Sequence, residues 1–181
     1  MKVVAVAVWC LAVAFATREL VIYETSAGEM SVAPERWPGD SRVPRGPGWS
    51  VVMFVHPDCP CSRASLTELA AIASLAGGVG ARIVIVFAGD ASGSSWDRAT
   101  QIGGALRIVD PGGEEARRFG ARTSGHTVVF DGAGILRFSG GITGSRGHAG
   151  NNVGRAAVEK LLSGSEGLHD HAVFGCSMVR S

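Results

Sequence analysis

Short apolar runs alternate with amphipathic segments between residues 49 and 164. Residues 49–55 and 81–88 are nearly continuous apolar runs of strand length, which is typical of strands buried on both faces of a sheet. Residues 62–75 place leucine, isoleucine and alanine on one helical face, and the glycines at 77 and 78 end that helix. This stretch therefore predicts a strand, a helix and a second strand in succession.

The rest of this region continues the alternation. A turn at 110–113 (DPGG) precedes a short helical pattern, and Gly132-Ala133-Gly134 between two apolar runs is a hairpin signal. Strands that alternate with helices imply an α/β domain whose sheet is covered on both faces. The pattern predicts helices over 96–106, 114–119 and 152–162 and strands over 108–110, 127–131 and 135–139.

The first 23 residues form an apolar segment that indicates export. Lys2 precedes fifteen uncharged residues, Arg18 and Glu19 interrupt, and residues 20–23 are apolar again. A cleaved signal peptide would use one of the alanine-x-alanine triplets between residues 12 and 16. An uncleaved anchor needs about 20 residues to cross the hydrocarbon. We favour the anchor, and both alternatives place the domain on the extracytoplasmic, periplasmic side of a membrane.

Two further segments flank the predicted domain at 49–164. Residues 24–48 contain four prolines among glycine, serine and charged residues, so we expect a spacer; the alternative is a segment packed on the domain through Trp37. Residues 165–181 form a tail that contains His169, His171 and Cys176.

Charge and cysteine content narrow the function. The formal net charge is +1 and the basic residues are scattered, which excludes nucleic acid as an expected partner. Four cysteines are too few for a disulfide-rich scaffold and fit one reactive pair with one possible partner. Arg146 and His148 lie in a glycine-rich loop, which we expect to be solvated.

The candidate site is the segment His56 to Arg63 (HPDCPCSR), which joins the first strand to the first helix. Pro60 suits the first helical position, so Cys59 is expected to cap the helix, facing free amides and the positive end of the helix dipole. These groups lower a thiol pKa, and Arg63 adds a nearby positive charge. A disulfide from Cys59 to Cys61 closes a tight, strained ring, so such a bond would be labile.

These features resemble the thioredoxin-like superfamily over residues 49–164. The resemblance lies in the strand, the cysteine motif at a helix start, the later hairpin and the closing helix, and in the spacing from Phe54 to Cys59. It implies a three-layer sandwich with a central mixed sheet, in which Cys59 is the attacking cysteine. Ser62 stands where the family usually has its second cysteine, and Cys61 falls one position earlier.

The resemblance also directs attention to His126, in Ser124-Gly125-His126-Thr127. The family places a cis-proline at the matching position, and we expect a trans bond before a residue that is not proline. In such a fold His126 would lie near Cys59 and Cys61. It could then act as a proton acceptor, a thiolate partner or a metal ligand, or only as a strand-end hydrogen-bonding group.

A wider pattern is similar to the small membrane-anchored bacterial proteins called RedB. It comprises HPDCPCSRASLTEL, TSGHTVVFD and GGITGSRGHAGNN. Together the residues predict a thiol–disulfide redox protein with catalytic Cys59, Cys61 and His126, supported by Pro60, Ser62, Arg63 and Cys176. It would exchange with a thiol- or disulfide-bearing protein, with no cofactor. The alternative is a copper- or zinc-binding module with the ligands His56, Cys59, Cys61 and His126.

Overall fold

The computed structural model describes residues 2–178. Within this range five helices and six strands follow one another, with a short 3₁₀ turn at Gly77–Val79. The helices are α1 (Lys2–Thr25), α2 (Ser62–Ala76), α3 (Gly93–Thr100), α4 (Glu114–Arg118) and α5 (Val153–Leu162), and the strands are β1 (Ser50–Val55), β2 (Arg82–Phe87), β3 (Leu106–Val109), β4 (His126–Phe130), β5 (Leu136–Gly141) and β6 (Asp170–His171).

The six strands form one mixed sheet in the order β3-β2-β1-β4-β5-β6. Strands β1, β2 and β3 are parallel neighbours, β4 runs antiparallel to both β1 and β5, and β6 runs parallel to β5. The two central strands β1 and β4 are buried along their whole length, as their apolar sequences require. The end of β1 and the start of β4 therefore fix the positions of the two loops attached to them.

Each face of the sheet packs into its own hydrophobic core, because side chains alternate along a strand. Val51, Met53 and Val55 face the cluster that contains α2 and α5, whereas Val52 and Phe54 face the cluster that contains α4. The predicted α/β three-layer sandwich with a central mixed sheet is confirmed.

One predicted helix is wrong in its bounds. The pattern favoured a helix over 96–106, but α3 ends at Thr100 and the chain turns through Gly104, which has φ +73°. That left-handed conformation suits glycine and interrupts a helix. Leu106 and the next three residues then pair with β2 as an edge strand.

The proline-rich segment does not behave as the spacer that its composition suggested. The Trp37 ring lies 5.1 Å from the ring of Phe119 and 5.2 Å from that of Phe130, both edge-on. The Leu136 amide donates to the Glu35 carbonyl at 2.8 Å, so the segment also bonds to β5. The short α4 leaves apolar surface on this face of the sheet, and partial burial of the Trp37 ring there favours a segment packed on the domain.

Most of helix α1 stands apart from this core, and its last turn reaches the domain, where the Glu24 carbonyl accepts from the Arg146 amide at 2.9 Å. With 24 residues, the helix is long enough, and on average apolar enough, to cross a membrane. None of its residues is buried. A single helix of this kind near the N-terminus fits an anchor or a signal sequence equally well.

Candidate functional site

A tight turn connects β1 to α2 and carries two of the cysteines. The Cys59 amide donates to the His56 carbonyl at 3.2 Å, and the Ser62 amide donates to the Cys59 carbonyl at 3.1 Å. Helix α2 begins at Ser62 with Cys61 as its N-cap residue. The prediction that Cys59 caps the helix and Pro60 opens it is therefore wrong by two residues, because two successive turns precede the helix.

Two serines tie this turn to the loop before β4. The Ser124 hydroxyl accepts from the His56 amide at 2.9 Å and lies 2.8 Å from the Ser62 hydroxyl. The Ser62 hydroxyl also donates to the His56 carbonyl at 3.2 Å. Both serines are buried, so these hydrogen bonds fix the turn without competition from water.

The C-terminal tail brings the third cysteine to the turn. After β6 the Val173 carbonyl accepts from the Gly28 amide at 2.7 Å, and the Cys176 carbonyl accepts from the Ser124 amide at 2.8 Å. Met178 donates its amide to the Arg122 carbonyl at 2.8 Å. The tail is thus held on both sides of Cys176 by backbone hydrogen bonds to segments far away in sequence.

The three sulfur atoms form one cluster. The Sγ atoms of Cys59 and Cys176 lie 2.9 Å apart, and the Cys176 amide donates to the Cys59 sulfur at 3.4 Å. All three Sγ atoms lie within 4.8 Å of one another. The side chains of Cys59 and Cys61 are buried, at 3% and 8% exposure, and Cys176 is the more accessible member.

The surroundings differentiate the three thiols. Burial raises the pKa of Cys59, but hydrogen bonds from the thiol and amide of Cys176, the Ser62 hydroxyl and the Cys61 amide outweigh it and hold that pKa below the ordinary value. Burial, followed by the charge of Cys59, raises the pKa of Cys61. Burial and the hydrogen bond to Cys59 raise the pKa of Cys176 to about 12. The cluster therefore favours one thiolate, on Cys59, between two protonated thiols.

The positive charge near the cluster comes from Arg146 and not from Arg63. Arg63 is exposed on α2, whereas the Arg146 guanidinium donates to the Gly175 carbonyl and lowers the pKa of both Cys61 and Cys176 against the larger opposing effects. Arg146 also lies over the Tyr23 ring, 5.0 Å from its centroid. The expectation that this loop is simply solvated is wrong for Arg146.

His126 is buried, and among the hydrogen bonds of residues 2–178 none joins it to the sulfur cluster, which consists of Cys59, Cys61 and Cys176. It pairs with Phe54 in the sheet and shares the face of Val128 and Phe130, and its Nε2 lies 2.8 Å from the Ser139 hydroxyl. Burial lowers its pKa to about 4, so it stays neutral. Among residues 2–178 no peptide bond is cis, which agrees with the trans bond expected before His126.

His56 lies beside the turn, in a cleft and not among the sulfurs. Its Nδ1 accepts from the Asp58 amide at 3.2 Å. The cleft has a volume of about 490 Å³, and its walls are the loops that follow β1, β2 and β3, together with Arg117 and Met178. Clefts at the carboxyl ends of parallel strands are common binding positions in α/β proteins.

Sequence reasoning thus found the turn, two of the sulfurs and Cys176 as a possible partner, but it did not place Cys176 against Cys59. Ser124 was noted only as a neighbour of His126, although it bonds both the turn and the tail. A third cysteine in a short tail was the available signal for Cys176. No signal of comparable strength marked Arg146.

Comparison with known proteins finds solved structures that are similar in fold. A hypothetical protein from Sinorhizobium meliloti 1021 is similar in structure, with a TM-score of 0.65 and 19% identity, over 86% of this chain and 97% of that one. An uncharacterized conserved protein from Geobacillus kaustophilus has a TM-score of 0.59 and 21% identity, over 87% of this chain and 93% of that one. A putative thiol:disulfide interchange protein DsbE from Chlorobium tepidum has a TM-score of 0.47 and 19% identity, over 77% of this chain and 95% of that one. No family model and no curated protein sequence matches the chain.

The core of the sheet has the order β2-β1-β4-β5, with β1 and β2 parallel, the hairpin antiparallel and the cysteine turn directly after β1. This order and the position of the cysteines follow the thioredoxin arrangement of strand, cysteine turn, helix, strand, hairpin and helix. The chain has a thioredoxin-like fold, with its cysteine turn between β1 and α2.

Proposed function

We propose that this protein is an extracytoplasmic thiol–disulfide redox protein in which Cys59 is the attacking cysteine. The observation that carries the proposal is the set of donors around one buried sulfur. The Cys176 amide, the Cys61 amide and the Ser62 hydroxyl all favour a thiolate on Cys59. A thiolate is the form of cysteine that attacks a disulfide.

The position of the turn supports the same role. The three residues that precede Cys59, namely His56, Pro57 and Asp58, line one side of a cleft of about 490 Å³. A peptide that carries a cysteine or a disulfide can rest in such a cleft with its sulfur directed towards Cys59. The partner we propose is accordingly a protein thiol or disulfide, and the chemistry requires no cofactor.

Helix α1 supports the extracytoplasmic location. A segment of this length and hydropathy suits either a membrane anchor or an export signal. Disulfides form and persist in oxidising compartments outside the cytoplasm, so a partner that carries one is expected there. We therefore propose a domain on the outer side of the membrane, held there by α1.

The direct test is reduction of a model protein disulfide by the full chain in detergent, with dithiothreitol as the electron source. We expect turnover above the rate of dithiothreitol alone, and we expect Cys59→Ser to return the rate to that background. Cys10→Ser is the matched control, because Cys10 lies on the exposed face of α1, away from the cluster. Equal rates for the unaltered chain and Cys59→Ser would refute the proposal.

A second candidate function, soft-metal binding, follows from the cluster of three sulfurs within 4.8 Å. Thiolates suit Cu(I) and zinc, and three sulfur ligands fit the low coordination of Cu(I) better than the four ligands of a structural zinc site. The proposed ligands are Cys59, Cys61 and Cys176. The histidine ligands expected from the sequence, His56 and His126, are replaced here by Cys176.

Competition between the protein and a Cu(I) chelator under reducing, anaerobic conditions tests this candidate. We expect one Cu(I) per chain, and we expect Cys176→Ser to weaken binding by at least about tenfold, as for the loss of a metal ligand. Equal affinity for Cys176→Ser and the unaltered chain would exclude the three-sulfur site.

A further inference from the structure

The sequence left the role of Cys176 in the tail open, and the structure narrows it; this inference rests on the proposed redox function. We propose that Cys176 is the resolving cysteine of Cys59, so that the oxidised protein carries a Cys59–Cys176 disulfide and Cys61 remains a thiol. The tail would then be a built part of the redox site.

Distance and strain both favour this pairing. The Cys59 and Cys176 sulfurs lie 2.9 Å apart, closer than two sulfurs in ordinary contact, and the Cys176 amide is directed at the Cys59 sulfur. A Cys59–Cys61 bond would instead close a ring over one intervening residue, in a turn already fixed by the Ser62 amide bond to the Cys59 carbonyl. Such a short ring departs from relaxed disulfide geometry.

The tail is positioned in the manner expected of a functional element. The Ser124 amide holds the Cys176 carbonyl, the Arg146 guanidinium holds the Gly175 carbonyl, and Thr123 and Ser177 form an antiparallel bridge. Ser124 also bonds the turn that carries Cys59. One residue therefore sets the position of the tail relative to the turn.

The chemical sequence balances in two steps. The Cys59 thiolate attacks one sulfur of a partner disulfide, forming a mixed disulfide and releasing the other partner sulfur as a thiolate. That thiolate takes the proton of the Cys176 thiol. The Cys176 thiolate then attacks the Cys59 sulfur, forms the internal disulfide and releases the second partner sulfur. The partner gains two electrons and the protein loses two.

Cys176 also covers its own target. Cys59 is almost fully buried, and the more exposed Cys176 lies against it. A partner sulfur can reach Cys59 only when the tail moves aside, and the return of the tail delivers the resolving thiol. The same movement of the tail thereby controls both the access of the partner to Cys59 and the attack of Cys176 on the mixed disulfide.

The test is disulfide mapping in the full chain after oxidation with glutathione disulfide. Trypsin leaves Cys59 and Cys61 together in residues 46–63 and Cys176 in residues 161–180, so single serine variants are needed to identify the pair. We expect Cys61→Ser to form the cross-link between the two peptides to the same extent as the unaltered chain. We expect Cys176→Ser to accumulate a glutathione mixed disulfide on Cys59, in at least about tenfold excess over Cys61→Ser.

The outcomes separate this inference from the proposed function. An internal Cys59–Cys61 disulfide that forms in Cys176→Ser as fast as the cross-link forms in the unaltered chain would overturn the role of Cys176, while redox activity could persist. A cross-link that forms correctly in a chain without disulfide reductase activity would support the pairing and overturn the proposed function. Loss of the cross-link in Cys61→Ser would also overturn the pairing.

Discussion

The turn at residues 56–61 is held mainly by hydrogen bonds between near neighbours in sequence, to which the Ser124 hydroxyl adds a contact from a distant segment, whereas the tail at residues 170–178 is held by contacts with segments far away in sequence. The turn follows β1 and precedes α2, so much of its position is set once those two elements form. The tail depends on Gly28, Arg122, Ser124 and Arg146. Both regions place a sulfur at the same point in the fold.

Because of this difference, the reactivity of the Cys59 thiolate depends partly on the turn, whereas the supply of the resolving Cys176 depends on the tail. Cys59 draws two of its thiolate-favouring donors, the Cys61 amide and the Ser62 hydroxyl, from its own neighbourhood. The remaining donors, the thiol and amide of Cys176, come from the tail. A protein that lost its tail contacts would keep a reactive cysteine with a weaker thiolate and without its nearest partner sulfur.

The largest expected effect comes from removing the thiolate itself. Cys59→Ser abolishes disulfide exchange, and it also removes the sulfur that raises the pKa of Cys61 and Cys176. Iodoacetamide labelling across pH measures this: in the unaltered chain one thiol reacts with a midpoint below that of a free cysteine, and in Cys59→Ser that low-pH reaction is missing. Persistence of the low-pH reaction in Cys59→Ser would assign it to another thiol.

The next largest effect is expected from a variant that displaces the tail and leaves every cysteine in the sequence. A methyl group at Gly175 would collide with the Ser124 carbonyl oxygen, so Gly175→Ala moves Cys176 away from Cys59. We expect internal disulfide formation to slow on the order of 100-fold, the cost of misplacing a reacting group by about 1 Å. The measurement is the rate of loss of free thiols after addition of glutathione disulfide.

Gly77→Ala is the matched control for the tail variant. A Cβ at Gly77 meets nothing within 4 Å, and its φ of −59° suits any residue. This variant should form the disulfide at the unaltered rate. A Gly175→Ala rate equal to that of Gly77→Ala would mean that the position of the tail does not limit the reaction.

The same division explains what the sequence could predict. Periodicity identified β1, α2 and the hairpin because their patterns reflect burial, which is a local property of each segment. It could not show that Trp37 fills the surface beside Phe119 and Phe130, since that depends on how much of the sheet α4 leaves uncovered. Cys176 was recognised only as a possible partner for the same reason. The resemblance to RedB stays a prediction.

His126 offers a third test, because the sequence suggested that it shares the chemistry of the turn. Burial lowers its pKa from 6.5 to about 4, so folding favours the neutral ring. The unfolded chain therefore takes up a proton on this ring at a higher pH than the folded chain does. The free energy of unfolding is at its full value above pH 6.5 and falls as the pH is lowered towards 4. Between pH 7.5 and 5 this loss amounts to about 2 kcal/mol of unfolding free energy.

Urea unfolding of the reduced chain at these two pH values measures the loss, and His126→Gln should lack this part of it because glutamine does not titrate. The labelling midpoint of Cys59 should not change in His126→Gln, since no hydrogen bond joins His126 to the sulfur cluster among the contacts of residues 2–178. A shifted midpoint would return His126 to the site.

The smallest effect should come from loosening the turn while the tail keeps its backbone bonds. Ser124→Ala removes the hydroxyl that accepts from the His56 amide and bonds the Ser62 hydroxyl, but the Ser124 amide still donates to the Cys176 carbonyl. We expect a loss of about 1–2 kcal/mol in unfolding free energy, because two buried hydrogen bonds are removed and each has a typical net value of about 1 kcal/mol. We also expect internal disulfide formation to slow only a few-fold, because Cys176 is still delivered.

Ser74→Ala is the control, because the Ser74 hydroxyl is exposed on α2 and bonds only the Ala71 carbonyl of its own helix. It should change neither the stability nor the rate appreciably. The ratio between the Gly175→Ala and Ser124→Ala rates then measures how much of the reaction depends on the tail and how much on the turn. If Ser124→Ala slowed the reaction as strongly as Gly175→Ala, the two regions would act as one unit, because a hydroxyl that bonds only the turn would then be controlling where the tail delivers its sulfur.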